Sequence, residues 1–128
     1  MQKKIASAAV VPPRGFYSQA VQAGPMLFIA GQLPLDISGQ IVGQTAAEQA
    51  RQALSNVRHV LQAANAGWHN LVQVTVYISD IAHWPAVNQV YQEMLAGVPV
   101  PPARAVVPVK EMHYGALVEV QATAYLPE

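Results

Sequence analysis

No cysteine occurs in this 128-residue chain. That absence excludes disulfides, thiolate nucleophiles and cysteine metal sites, and it fits a reducing compartment. Charge is scarce too. Only 11% of residues are charged, and seven basic residues balance seven acidic ones. Lys3 and Lys4 are adjacent but the other basic residues are scattered, so no patch is built to displace counterions from a nucleic acid. No apolar run is long enough to span a bilayer. The start, MQKKIASAAVVPP, has the two lysines and small apolar residues of a secretory signal, but Pro12 and Pro13 cut the run short. The expectation is a mature, cytoplasmic chain with one domain over 1–128.

Familiar chemical motifs are missing as well. The four histidines, His59, His69, His83 and His113, have no metal-site spacing such as H-E-x-x-H, and each reads as a surface or loop residue. Neither G-x-S-x-G nor a Walker loop occurs, and Gly31, Gly39 and Gly43 do not spell a dinucleotide fingerprint. Nothing in the sequence supports a cofactor site or a metal site.

Apolar material is plentiful, at 52% of residues. That is enough for a core, and with so few charges it points to apolar surface covered by sister subunits. The patterning predicts the order β-β-β-α-β-α-β-β. Strands are expected over 2–7, 16–22 and 26–33, with a turn at Gly24-Pro25 and a hairpin tip at Gly39. TAAEQARQALSNVRHVLQAANAG is the clearest helix. Thr45 and Glu48 have capping-box spacing, Ala50, Ala53, Leu54, Val57, Leu61 and Ala64 form one stripe, and Gly67 is expected to end it in a left-handed cap. In LVQVTVYI, Val72, Val74, Val76 and Ile78 are expected on one strand face. Pro85 suits the first turn of a second helix with Val87, Val90, Tyr91, Met94 and Leu95 on its stripe. Strands over 103–109 and 117–125 follow. Each helix has a single apolar stripe, so both are expected on one face of a mixed sheet, leaving the other face for a subunit interface with water or ligand in it.

Two charges interrupt apolar strands. In PPARAVVPV, Arg104 stands at the mouth of an apolar run, and in LVEVQATAY, Glu119 shares the more polar face with Gln121, Thr123 and Tyr125. Taken singly, Arg104 reads as a strand-end arginine with its head in water, and Glu119 as an exposed acid or half an ion pair. Tyr17 and Asn88, taken singly, read as packing or surface residues. If 103–109 and 117–123 form an antiparallel hairpin, Arg104, Val106, Glu119 and Gln121 share a face. Arg104 would then grip a carboxylate with two parallel hydrogen bonds, and Glu119 would steer a water or move a proton.

The stretches RGFYSQAV, FIAGQLPLD…SGQIV, QARQALSNVRHVLQAANAG, VQVTVYISD, VNQVYQEML, PPARAVVPV and ALVEVQATAY, in this order and spacing, resemble the RidA/YjgF family of enamine/imine deaminases, formerly described as L-PSP endoribonucleases. The most specific element is Pro-Ala-Arg followed by a strand with apolar-Glu-apolar. The resemblance implies an α+β, chorismate-mutase-like fold with a mixed sheet of about six strands, two helices on one face, and a homotrimer with pockets between subunits. It implies hydrolysis of small enamines or imines, such as aminoacrylate and its imine tautomer, to 2-keto acids and ammonia, with no cofactor. By the same resemblance Arg104 grips the substrate carboxylate and Glu119 positions water. Tyr17 and Asn88 line the pocket, with Tyr17 reaching across the interface, and backbone near Val106 contacts the ligand. Two positions depart from the family pattern. Val106 stands where many deaminases carry Cys, and Ala30 stands where many carry Ser or Thr before Gly-Gln. Two rivals follow: a non-catalytic module that binds small carboxylates, and a ribonuclease, which the dispersed cations disfavour.

Overall fold

The structure, a computed structural model, describes residues 1–127. Its elements are β1 (Gln2–Ile5), β2 (Ala20–Ala23), β3 (Met26–Gln32), α1 (Ala46–Ala63), β4 (Leu71–Ile78), α2 (Trp84–Met94), β5 (Ala103–Pro108) and β6 (Val118–Tyr125). They follow the order expected from the patterning and make an α+β fold. One six-stranded mixed sheet runs β1-β2-β3-β6-β4-β5, with every pair antiparallel except β4 and β5.

Both helices lie on one face of that sheet. Helix α1 packs on α2, β6 and β3. Its stripe of Ala50, Ala53, Leu54, Val57, Val60 and Leu61 is fully buried against Leu27, Ile29, Val74, Val76, Ile78, Val118, Val120, Ala122 and Ala124. Burying each Val, Leu or Ile contributes about 1.5–3 kcal/mol, so this one layer is the main source of stability. The capping box forms as expected: Glu48 N–H donates to Thr45 Oγ1 at 3.2 Å, and Thr45 N–H donates to Glu48 Oε1 at 3.0 Å. Among the described residues, no helix is long and apolar enough to cross a membrane.

Three local expectations change. The second strand begins at Ala20 rather than 16, and 14–17 is a bend, since Gly15 leads a turn in which Tyr17 N–H donates to Gly15 O at 3.0 Å. Asn65, with φ 58°, takes the left-handed position after α1, while Gly67 is extended at φ −144°. Asparagine enters that region more readily than most side-chain-bearing residues, so the helix ends two residues early. Val72 is exposed because a register shift between Leu71 and Gln73 turns it off the core face and puts Leu71 there instead.

Four buried amides tie loops to this scaffold. Gln19 accepts from Ser7 N–H at 2.7 Å and donates toward the Ser7, Val10 and Val11 carbonyls. Asn56 donates to the Leu33 and Leu35 carbonyls at 3.0 and 2.9 Å, and Gln49 accepts from Leu117 N–H at 2.7 Å. Gln32, also buried, donates to Ala30 O at 3.0 Å. Each pairing satisfies backbone groups that burial would otherwise leave at a cost of about 1–3 kcal/mol. Of the segments held this way, Val11, Ala30, Gly31, Leu33 and Leu35 line a cavity on the open face of the sheet.

Candidate active site

Strand β6 alternates as its sequence requires. Val118, Val120, Ala122 and Ala124 are buried, while Glu119 and Thr123 are half-buried and Gln121 and Tyr125 exposed on the opposite face. Glu119 pairs with Tyr77 of β4, whose hydroxyl donates to Gln121 Oε1 at 3.2 Å. On the other side, the register between β3 and β6 shifts between Ile29 and Gln32, so Ala30 and Gly31 bulge beside Glu119. A Cβ on Gly31 would sit 2.6 Å from Glu119 Oε2. The bare backbone at Gly31 is therefore what gives the carboxylate its seat.

Glu119 opens into a cavity of about 630 Å³ whose lining includes Arg14, Tyr17, Ala30, Gly31, His113, Tyr114 and Gln121. It also borders a second hollow of about 510 Å³ with Tyr77, Met112 and His113. Burial pushes the Glu119 pKa above the usual carboxylate range, and the nearby His113 charge opposes that rise in part. A carboxylate moved toward neutrality, facing a cavity rather than an ion pair, is suited to taking and returning a proton.

Arg104 lies elsewhere. Strand β5 runs parallel to β4 at the sheet edge and sets Arg104 opposite Val74, on the helix side. Its guanidinium carbon is 4.5 Å from the Trp84 ring centroid and 4.8 Å from that of Tyr91, and Nη1 donates to Asn88 Oδ1 at 3.0 Å. Trp84, Asn88 and Tyr91 follow one another at helical spacing, so a single stripe of α2 cradles the cation. Arg104, Asn88 and Tyr91 border a cavity of about 540 Å³ closed by Gly97, Pro101 and Pro102. There the Tyr91 hydroxyl is buried with no hydrogen-bond partner, and burial raises its pKa against the pull of Arg104.

The expected hairpin between 103–109 and 117–123 is thus not formed. Strand β4 sits between β5 and β6, and within one chain Arg104 and Glu119 occupy opposite faces of the sheet. The reason is burial. Strand β6, with four fully buried inward residues, needs a neighbour on each side, whereas β5 is largely exposed and ends at Pro108, which cannot donate to a ladder and belongs at an edge. Parallel pairing of β5 with β4 is made possible by the long crossover through α2. The structure brings together Tyr17, Ala30 and Glu119 on the open face, and Arg104 with Asn88 on the helix side. Val106 also points to the helix side and packs against the core.

Several residues of these cavities carry no signal in the sequence. His113 reads there as one loop histidine among four, yet it borders both cavities that hold Glu119. Arg14 and Tyr114 reach the Glu119 cavity, and Tyr91 the Arg104 cavity, only through tertiary contacts, and Trp84 meets Arg104 in the same way. Among the described residues no group of three or more His, Asp or Glu side chains converges as a metal site would require.

Residues 7–126 match the family model described as endoribonuclease L-PSP. The chain belongs to that family, known as RidA/YjgF. A RutC family protein of Pyrococcus horikoshii is 38% identical over 126 residues, covering 98% of each chain. A Bos taurus protein named 2-iminobutanoate/2-iminopropanoate deaminase is 40% identical over 124 residues, 95% of this chain and 89% of that one. Among solved structures, a Rid family protein, YyfA from Yersinia pestis, superposes with a TM-score of 0.94 at 31% identity, covering 98% of this chain and all of the other.

Proposed function

We propose that the chain hydrolyses small 2-imino acids, the tautomers of aminoacrylate-type enamines, to 2-keto acids and ammonia. The observation that carries the reading is Glu119: a half-buried carboxylate of raised pKa, seated on bare backbone at Gly31 and facing an open cavity. The name of the Bos taurus relative supports the same chemistry.

In this reading the site is shared between copies of the chain. Arg104 and Glu119 face opposite ways in one copy, so one subunit supplies Glu119, Tyr17 and Ala30. A neighbour then supplies Arg104, Asn88 and backbone near Val106. A homotrimer closes three such sites. The bare face of the sheet, with Phe28 and Tyr125 each about half exposed, is the surface available for that contact.

Arg104 holds the substrate carboxylate by charge-assisted hydrogen bonds. Glu119 takes a proton from water as the water oxygen attacks the imine carbon. The C=N π pair moves to nitrogen, which receives a proton. The carbinolamine then loses its hydroxyl proton, the C–N bond breaks, and ammonia leaves with both protons of the consumed water while C=O forms. One proton-transfer group contributes about 10²–10⁴ in rate, enough for substrates that already hydrolyse unaided.

The test couples the protein to a pyridoxal-phosphate dehydratase that releases aminoacrylate, and measures keto-acid appearance. Parent protein is expected to accelerate release. Glu119→Gln should remove about 10²–10⁴ of the acceleration, and Arg104→Ala should abolish it for carboxylate-bearing imines. No acceleration by the parent leaves the carboxylate-binding module as the reading, and full activity in Arg104→Ala refutes the clamp. RNA cleavage that co-purifies with the protein and vanishes in Glu119→Gln would move the function to a ribonuclease.

A further inference from the structure

Arg14 is a cation held in place without an acidic partner. Its guanidinium carbon lies 5.3 Å from the Tyr114 ring centroid, and Nη2 reaches Ser38 O at 3.5 Å. The same group lies on Gly39, where a Cβ would collide with it; Gly39 has φ +86° and no side chain to offer. Asp36, two residues before Ser38, is occupied: its Oδ1 accepts from Ser38 N–H at 2.9 Å, Ser38 Oγ at 2.6 Å and Gln40 N–H at 3.0 Å. Among the described residues the one ion pair is Arg51 with Glu93, so Arg14 keeps most of its five N–H donors unspent.

Tyr114 stands in the left-handed region at φ 61°, ψ 19°, beside Gly115 at φ 68°. A non-glycine residue there costs about 1–2 kcal/mol, and such strain persists where the side chain has a task. What the Tyr114 ring does is carry Arg14 on its face. Its neighbour His113, with ring centroids 6.0 Å apart, borders the same cavity. The lining of the Glu119 cavity thus includes one guanidinium, one imidazole and two tyrosines beside the apolar Val11, Leu33 and Leu35. If Arg104 of a neighbouring copy holds the substrate's own carboxylate and Glu119 holds water, Arg14 has no counter-charge.

We infer that Arg14, propped by Tyr114, is the receptor for a second anionic group on the substrate. The preferred substrates are then 2-imino acids whose side chain ends in a carboxylate, such as 2-iminosuccinate, over 2-iminopropanoate. This rests on the deaminase reading for the reaction, but the anion subsite can be tested without turnover. A charge-assisted contact at an accessible guanidinium is worth about a factor of ten in affinity.

The experiment titrates stable analogues into the full chain by calorimetry, L-malate against L-lactate, and in parallel measures hydrolysis of 2-iminosuccinate and 2-iminopropanoate generated by amino-acid oxidases. Parent protein is expected to favour the dicarboxylate about tenfold in both formats. Arg14→Leu should reduce that preference at least fivefold, leaving lactate affinity and 2-iminopropanoate turnover within twofold. Tyr114→Gly keeps the left-handed backbone, removes the ring, and should lose the preference while melting no lower than the parent, a combination that a merely structural role for Tyr114 does not produce. Equal binding of malate and lactate by the parent, a preference that survives Arg14→Leu, or equal loss of both substrates in that variant overturns the inference. Preferential malate binding with no imine hydrolysis sinks the deaminase reading and leaves the subsite standing.

Discussion

Glu119 and Gly31 form one device at the scale of single residues. The carboxylate sits where any Cβ on residue 31 would be, 2.6 Å from Oε2 and 3.1 Å from Cδ. Gly31→Ala must therefore displace the acid, and because the displaced atoms end a flexible side chain, the fold should survive. Deaminase turnover is expected to fall about 10²-fold, the value of one misplaced proton-transfer group, with Tm within a few degrees of the parent. Turnover at the parent rate would show that the seat at Gly31 is unimportant. Burial also makes Glu119 a cost to the fold. Its folded pKa is raised above the unfolded one, so the folded chain keeps the proton to higher pH, and stability declines as pH rises through that window. Glu119→Gln removes the titrating group. It should melt higher than the parent at pH 7 and lose this advantage below the ordinary carboxylate range. A parent that melts higher at pH 7 in scanning calorimetry would contradict burial as the dominant cause.

Among the elements, α2 has two jobs on two sides. Val87, Val90 and Tyr91 bury against the core, while Trp84, Asn88 and the Tyr91 ring receive Arg104 from β5. A guanidinium held on two rings and one amide is pre-organised, which in the proposed role would lower the entropy lost on binding an anion. Trp84→Leu keeps bulk and apolarity but removes the π face, worth about 0.5–2 kcal/mol. It is expected to raise KM for imino acids about 3–10-fold with kcat nearly unchanged, and Trp84→Phe should recover most of the loss. A fall in kcat with unchanged KM would place Trp84 outside the clamp. Much of this element was legible beforehand. Its stripe, its Pro85 start and the Thr45–Glu48 cap of α1 all follow from local spacing. Asn65 for Gly67 and the displaced Val72 were not, because the tolerance of asparagine for a left-handed backbone and a β-bulge leave no periodic trace.

At the scale of the whole molecule, the sheet is covered on one face only, and the bare face holds Tyr77 and Gln121 beside Glu119, with Phe28 and Tyr125 further along the strands. With 11% charged residues the chain has little else to keep such a face in water. We expect light scattering behind size exclusion to give about three times the 13.7 kDa chain mass. Phe28→Glu, whose side chain faces away from the buried Leu27 and Ile29, should shift that mass to a single chain and remove turnover together. A parent that runs as a single chain while fully active would exclude the shared site.

The sequence by itself determined the elements, their order, the inward and outward alternation of β6 and the family, because each is written in local spacing of apolar residues, caps and motifs. It could not determine which strands are neighbours. That choice was made by the competition among strands for buried positions, which put β4 between β5 and β6 and sent Arg104 and Glu119 to opposite faces. Only the tertiary structure, by the same competition, gathered Arg14, His113 and Tyr114 around the carboxylate from segments a hundred residues apart in the chain.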